Sequence, residues 1–330
     1  MKILIIKTSS MGDIIHSNPT LTALRKLYPS AKIFWLIFDI WSDILDLFPQ
    51  VDEKIVWNRK SGFKLKELIR IIRKVRQEKF DLIIDLQGLL KTALIPFFSG
   101  AKKKLGVPGM KELSWLFYKE VFPEKRSMNS VFRSLEVVRF LSSRNFEPKF
   151  NILINDNIKQ KASDILKEEG INDSDQLIGI APLTRGKAKQ WPIKYFEQLI
   201  RMINSNYPNY KVIILGDKKA PLDFSNNNNV VDLSQKTDLK TLAAILSKCC
   251  IVVGPDTGPV HLASALGIPV VAIFGGSDVK ETSPIAKNAS ILSHDFQCSP
   301  CRKRPLCKNI DCLIDIKPEE VLKAVEKWIK

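Results

Sequence analysis

Two carboxylates in this chain stand where a buried strand would turn into a helix, and each has neighbours suited to chemistry. The first is Asp13, in Lys7-Thr-Ser-Ser-Met-Gly-Asp-Ile-Ile-His16. The preceding run, Lys2-Ile-Leu-Ile-Ile-Lys7, is short, β-branched and bounded by Ser and Gly, as a strand of a parallel sheet would be. Ile14, Ile15, Leu21, Leu24 and Leu27 then recur at helical spacing. Ligands of open α/β sheets bind beyond the carboxyl ends of the strands, which places Ser9, Ser10, Met11, Gly12 and Asp13 on a functional rim. Two roles are open to Asp13. As a helix N-cap it accepts from orphan backbone N–H groups. As a general base it profits from the same location, because a helix N-terminus keeps a carboxylate ionised at neutral pH.

The second carboxylate is Asp256, in Ile251-Val-Val-Gly-Pro-Asp-Thr-Gly-Pro-Val-His-Leu262. Pro259 suits the first turn of a helix. The N–H groups of Thr257 and Gly258 would face an anion with the helix dipole behind them, a seat for a diphosphate. Capping by Asp256 or Thr257 explains the same turn. His261 has two readings, a packing residue and a ligand to phosphate or ribose. A third segment, Leu183-Thr-Arg-Gly-Lys-Ala-Lys-Gln-Trp-Pro192, follows an apolar run and precedes a helix, and its lysines can neutralise a leaving diphosphate.

The elements that must position these residues alternate along the whole chain, which predicts an α/β protein with parallel sheets and helices on both faces. In the first half, strands are expected at 2–7, 31–38, 53–57 and 81–87, with helices near 13–28, 64–79 and 129–143. In the second, strands are expected at 177–181, 211–215, 230–233, 251–253 and 270–274, with helices near 193–205, 239–247 and 258–266. The polar stretch 155–175 contains an expected helix followed by Asn172-Asp-Ser-Asp175, and the linker is placed there. The expected division is therefore a domain over 1–165, a second over 166–316, and a C-terminal helix over 317–330 packing back on the N-terminal domain. Two such domains predict a ligand cleft between facing strand ends.

The 330 residues are 45% hydrophobic, enough for two cores, and 51 Lys plus Arg against 35 Asp plus Glu give a net charge of +16. That charge favours polyanionic partners: nucleic acid, an anionic membrane surface or a phosphorylated substrate. Much of it lies in the first half, at Arg59, Lys60, Lys64, Lys66, Arg70, Arg73, Lys74, Arg76 and Lys102 to Lys104. A plain solvated helix face is the alternative reading of such runs. No apolar run approaches the roughly 20 residues of a membrane span, and the N-terminus lacks a signal-peptide pattern, so a cytoplasmic protein touching membrane peripherally is expected. No G-x-G-x-x-G follows the first strand and no G-x-x-x-x-G-K-[ST] occurs, which argues against dehydrogenase and P-loop chemistry.

Four segments in order, K-T-S-S-M-G-D-I-I-H at 7–16, D-L-Q-G-L-L-K-T-A at 85–93, K-Q-W-P at 189–192 and D-T-G-P-V-H-L at 256–262, resemble the ADP-heptose:lipopolysaccharide heptosyltransferases. The S-S-M-G-D form is most similar to those adding the first heptose to Kdo-lipid A. The resemblance implies a GT-B-type fold of two Rossmann-like domains and an inverting, metal-independent transfer of heptose from ADP-heptose. It implies that Asp13 is the base and that Thr184 and Lys189 hold the donor phosphates. It further implies that Asp256 accepts from sugar hydroxyls, while Thr257, Gly258 and His261 complete the donor pocket. Lys91 and Arg133 match basic acceptor-side positions suited to Kdo carboxylates, and Ser10 would position the acceptor. The chain departs from the family at Asn129, where relatives often carry His, and in the 184–189 loop, whose apparent insertion makes Lys187 an alternative to Lys189. It also lacks a ribose-binding glutamate in 216–220, and Asp217 is read in its place.

Cys298, Cys301, Cys307 and Cys312 form a C-x2-C-x5-C-x4-C cluster. Four thiols so spaced suit a structural zinc, with reduced thiols in an ordered loop as the alternative and no catalytic metal implied. Similar Cys-rich tails are familiar among second-heptose transferases of the family. A later heptose-adding transferase is accordingly the nearest alternative function. A basic nucleic-acid-binding protein is the alternative of a different class, though the chain carries no signature of one.

Overall fold

The computed structural model describes residues 1–59, 65–107, 113–118, 120–121, 129–224, 227, 229–301 and 310–329. The chain divides into two compact units, Met1–Leu153 and Ile154–Lys330.

The first unit contains strands β1 (Lys2–Ile6), β2 (Lys32–Phe38), β3 (Glu53–Trp57), β4 (Leu82–Asp85), β5 (Lys103–Gly106) and β6 (Glu120–Val121). They form one sheet in the order β3-β2-β1-β4-β5-β6, and every pairing is parallel. Its helices are α1 (Met11–His16), α2 (Asn18–Leu27), α3 (Leu65–Glu78), α4 (Leu90–Ser99) and α5 (Ser130–Ser142). Parallel strands covered on both faces must be apolar throughout, and four of the five β1 residues and six of the seven β2 residues are buried. Helices α2 and α5 pack together, as do α3 and α4. The chain steps from β1 outward to β3, then returns to β4 and runs the other way. The reversal falls between β1 and β4, where an open sheet leaves a crevice for ligands.

The second unit repeats the plan with β7 (Gln176–Ile180), β8 (Tyr210–Ile214), β9 (Val230–Asp232), β10 (Cys249–Pro255), β11 (Val270–Ile273) and β12 (Ala289–Leu292). Its parallel order is β12-β11-β10-β7-β8-β9, so the reversal falls between β7 and β10. Among the described residues it is accompanied by α6 (Asp156–Glu168), α7 (Ile193–Asn206), α8 (Leu239–Leu246), α9 (Gly258–Ala265), α10 (Val279–Thr282), α11 (Asp311–Ile314) and α12 (Pro318–Val325).

Several expectations need correction. The boundary lies at 153/154 rather than 165/166: the helix expected within 155–175 is present as α6, but it packs on α8 and ties Lys161 to Asp238 at 2.7 Å, so the stretch belongs to the second unit and is not a linker. The C-terminal helix is part of the second unit's core: Val321, Leu322 and Val325 lie in one cluster with Phe196, Leu199 and Ile203 of α7. Burial of each such side chain contributes about 1.5–3 kcal/mol, which is why that apolar face is covered. The helix expected over 13–28 is two helices meeting at Ser17, since Pro19 has no N–H to offer the Ile15 carbonyl. Strands β5, β6 and β12 and helix α4 were not foreseen.

Candidate active site

Both sheet reversals carry the residues singled out in the sequence. At the first, β1 ends in a loop that β4 clamps. The Gln87 side-chain carbonyl accepts from Thr8 N at 2.9 Å, Thr8 Oγ1 at 3.2 Å and Ser9 N at 3.2 Å. Gln87 is itself fixed by its N–H to Asp85 Oδ1 at 2.7 Å, which also accepts from Gly88 N at 3.1 Å. Asp85 is wholly buried and its other oxygen accepts from the Tyr118 hydroxyl. Burial pushes the Asp85 carboxyl upward against these donors. Burial and the Asp85 charge likewise hold Tyr118 in its neutral, donating form.

Asp13 stands at the third position of α1, not at its N-cap, because Ser10 caps the helix. Both Ser10 donors reach one carboxylate oxygen: N to Oδ2 at 2.9 Å and Oγ to Oδ2 at 2.7 Å. Oδ1 carries no hydrogen bond among the described residues. Burial alone would raise the Asp13 pKa, but the Lys7 charge, the Ser10 donors and His16 outweigh it, and the carboxyl lies below its ordinary value. Lys7 is aimed by a hydrogen bond from its Nζ to Leu86 O at 2.8 Å.

Helix α5 begins beside α1: Asn129 caps it through Val131 N at 3.1 Å, and Ser130 Oγ meets His16 Nδ1 at 2.5 Å. Arg133 lies in its first turn. Lys91, in the first turn of α4, places its ammonium 5.1 Å from the Phe38 ring centre, and Phe38 N bonds Thr8 O. Ser10 and Asp13 thus touch directly, and Lys91 and Arg133 sit on the neighbouring segments.

At the second reversal, Gly254 must be glycine, because a Cβ there would come within 2.7 Å of Ala181 O on the adjoining segment. The loop after β7 is braced by Gln190, whose amide donates to Pro182 O at 2.7 Å and Trp191 O at 2.9 Å while its oxygen accepts from Thr184 N at 3.0 Å. Trp191 is fully buried and bonds Ile316 O at 3.0 Å. In Lys-Gln-Trp-Pro, therefore, Gln and Trp hold the loop and Lys189 is presented by it. Lys189 Nζ donates to Asp256 Oδ2 at 2.5 Å.

Asp256 is buried and carries two further partners: His261 Nε2 on Oδ1 at 2.7 Å and Ser277 Oγ on Oδ2 at 2.5 Å. Burial opposes its charge, but His261 and then Lys189 overcome this and hold the carboxyl well below the usual range. An ammonium has three donors, and Asp256 takes one, leaving two for an anion. Thr257 occupies the N-cap position of α9 in extended geometry without capping it. Its hydroxyl points to Leu183 O at 3.4 Å instead. The N–H groups of the first turn are left for an anionic ligand, beside the Lys189 loop. The Thr184 hydroxyl is spent within its own loop, on Gly186 O at 2.9 Å. Asp217 is exposed, with only Arg185 at 3.5 Å, and Lys187 is exposed as well.

Sequence reasoning missed Ser277, Gln87 and Gln190 as functional supports. Only the strings D-L-Q-G and K-Q-W-P hinted at the two glutamines. The Cys-rich tail falls partly outside the description, since Cys307 is not among the described residues. Among those that are, no three metal-ligating side chains come together. Cys312 is buried in the second unit's core. Cys301 packs against the segment leading to Ser277: a Cβ on Gly276 would meet its sulfur at 2.8 Å and Ala188 O at 2.7 Å. Gly276 N also bonds Ala188 O at 2.9 Å, so this part of the tail backs the turn that carries Lys189.

Comparison with known proteins agrees with this layout. The model of glycosyltransferase family 9 (heptosyltransferase) matches residues 68–309. Lipopolysaccharide heptosyltransferase 1 of Campylobacter coli is 25% identical, with 99% of this chain and 98% of that protein covered. Lipooligosaccharide heptosyltransferase 2 of Campylobacter jejuni is 27% identical, with 99% of each covered. In structure, the Escherichia coli ADP-heptose lipopolysaccharide heptosyltransferase II shares the fold at a TM-score of 0.80 and 23% identity, over 99% of this chain and 98% of the other. The two doubly wound units are thus those of the GT-B-type fold, and the chain belongs to glycosyltransferase family 9, the heptosyltransferases.

Proposed function

We propose that this heptosyltransferase moves L-glycero-D-manno-heptose from ADP-heptose to a Kdo residue of Kdo-lipid A during assembly of the lipopolysaccharide inner core. The observation that carries the reading is the Asp13 carboxylate, with one oxygen held by Ser10 and the other open. In the proposed reaction Asp13 Oδ1 takes the proton of an acceptor hydroxyl as that oxygen bonds to the anomeric carbon from the face opposite the leaving group. The bond from the anomeric carbon to the ADP oxygen breaks, its electron pair departs on the diphosphate, and the configuration inverts. No metal is required, because Lys189 and the uncapped start of α9 meet the developing negative charge. Asp256 has one lone-pair direction left for a sugar hydroxyl, and its larger role is to hold Lys189 and His261. Thr184, Asp217, Thr257 and Gly258 line the donor side. Lys91 and Arg133 attract the acceptor carboxylates. The acceptor is a glycolipid, so the protein works at the cytoplasmic face of the inner membrane as a peripheral protein. Within the described residues no helix is long and apolar enough to cross it.

The test is mass-spectrometric detection of heptose transfer from ADP-heptose to Kdo-lipid A, with and without exhaustive chelation. Transfer that persists without metal supports the mechanism, and loss restored by Mg²⁺ overturns it. A second reading, a later heptose addition, is favoured by the relative of the second-heptose type, at 27% identity. Offering the already heptosylated acceptor in the same assay decides between them.

A further inference from the structure

All twelve strongly exposed large hydrophobic side chains among the described residues belong to the first unit, and six of them share one face. These are Leu65 and Ile69 of α3, Phe97 and Phe98 of α4, and Leu113 and Leu116 at the adjoining turn, each between 37% and 66% exposed. Packing gathers them: α3 lies on α4, α4 lies on the turn at 114–117, and the Phe97 ring meets Phe98 at 4.9 Å and Phe117 at 5.2 Å. Monomeric soluble proteins seldom expose such a cluster without a use for it.

Helix α3 explains why the cluster is not core. Its inward stripe is Leu68, Ile71 and Val75. Leu65 and Ile69, one turn apart, form a second apolar stripe facing out, flanked by the exposed cations Lys66, Arg70, Arg73 and Lys74. These line a shallow depression with Ile69. Arg70 is paired with Glu67, but Lys66, Arg73, Lys74 and Arg76 carry no ion pair among the described residues. From β5, Lys104 reaches the Phe97 carbonyl of α4 at 3.4 Å, which puts another cation beside the aromatic pair.

We propose that this α3–α4 face is the surface by which the protein docks on an anionic lipid bilayer, the aromatic and aliphatic tips entering the acyl boundary and the cations meeting lipid phosphates. Apolar tips flanked by a surplus of basic groups, with the nearby carboxylates Glu67 and Glu78 already paired to Arg70 and Lys2, complement a negatively charged interface. A protein partner of ordinary composition would not need that pairing. The proposal rests on the reading that the acceptor is a membrane glycolipid, and it adds which side of the chain faces the membrane.

The test uses the full chain and vesicles of phosphatidylglycerol with phosphatidylethanolamine, compared with phosphatidylcholine alone. Wild-type protein is expected to sediment with the anionic vesicles and at least tenfold less with the neutral ones. F97S/F98S should reduce anionic-vesicle partitioning tenfold or more, and K66A/R73A/K74A should do so only at low salt. F97W should show a blue-shifted emission on adding vesicles, a readout that does not depend on F97S/F98S folding. Transfer to a detergent-solubilised acceptor should be unchanged in every variant, which separates failure of docking from failure of the functional reading. Wild-type protein that ignores vesicles, variants that bind as well as wild type, or a wild-type dimer that F97S/F98S converts to monomer would each overturn the proposal, the last by showing that a second copy covers this face.

Discussion

Asp13 and Asp256 each stand at the sheet reversal of their unit, Asp13 after the first strand and Asp256 after the fourth, yet they are built for opposite tasks. Asp13 receives two donors from one neighbour on one oxygen and keeps the other oxygen open. Asp256 is buried under an ammonium, an imidazole and a hydroxyl spread over both oxygens. Both carboxyls are held below their ordinary pKa, but by different means: a moderate field from Lys7 and a cap for Asp13, direct cationic contact for Asp256. A base has to keep a vacant lone pair, whereas an anchor has to fill its lone pairs. The duplicated fold supplies the position, and the neighbours decide which of the two a carboxylate becomes.

The comparison breaks most sharply at Asp13. Asp13→Asn retains the capping partner of Ser10 but loses the basic oxygen, and turnover should fall by about 10²–10⁴ with donor affinity and thermal midpoint little changed. The wild-type pH profile adds a sign. A depressed folded-state pKa means that Asp13 is already ionised above the ordinary carboxylate range, so no acid limb attributable to it should appear between about pH 5 and 7. An Asn variant with near-normal kcat would remove Asp13 from the role of base, whereas a limb in that window that vanishes in the variant would retain the role and overturn the lowered pKa.

A smaller loss is expected on the other side. Lys189→Ala removes a charged donor from the proposed diphosphate and strips Asp256 of a partner. Its effect should fall on the donor KM, by about 10- to 100-fold, the equivalent of one charge-assisted hydrogen bond. Lys187→Ala should do little, because Lys187 is exposed and Lys189 is the lysine that meets Asp256. Equal effects of the two substitutions would show that the loop, not the particular ammonium, binds the donor.

Much of this division was legible in the sequence, for physical reasons that differ by residue. Runs such as 2–7 and 270–274 declare themselves because a parallel strand covered on both faces has no polar positions to confuse the pattern. Asp13 and Asp256 were visible because each follows such a run. Short strands toward the sheet margin were not: two of the four residues of Lys103–Gly106 are lysines and one is glycine, and its strand character comes from pairing with β4 and β6. The polar helix α6 was legible as a helix but not as part of the second unit, because only Ala162 and Leu166 of its thirteen residues are buried. What sequence could not convey was the partnership across distance. Nothing local marks Ser277 or Tyr118, and only the string D-L-Q-G hints at Gln87, since each acts on a group at least twenty-one residues away.

Ser277 gives the finest test of the anchor. Its hydroxyl shares Oδ2 of Asp256 with Lys189, so it fixes which lone pair the ammonium uses without itself being placed against substrate. Ser277→Ala leaves Asp256 with the Lys189 ammonium and the His261 imidazole, and the carboxylate should stay ionised and buried. The loss should therefore lie near the low end for a hydrogen bond to a charged group, roughly tenfold in donor KM with kcat nearly unchanged. Ser277→Thr retains the hydroxyl and should recover most of the affinity, which a purely steric role at this crowded turn would not allow. Asp13→Asn combined with Ser277→Ala should show additive effects in log kcat/KM if base and anchor act independently, as their separate surroundings suggest. A fall in kcat for Ser277→Ala as large as that for Asp13→Asn would mean that Asp256 and its partners act on the chemical step itself, and the contrast between anchor and base would fail.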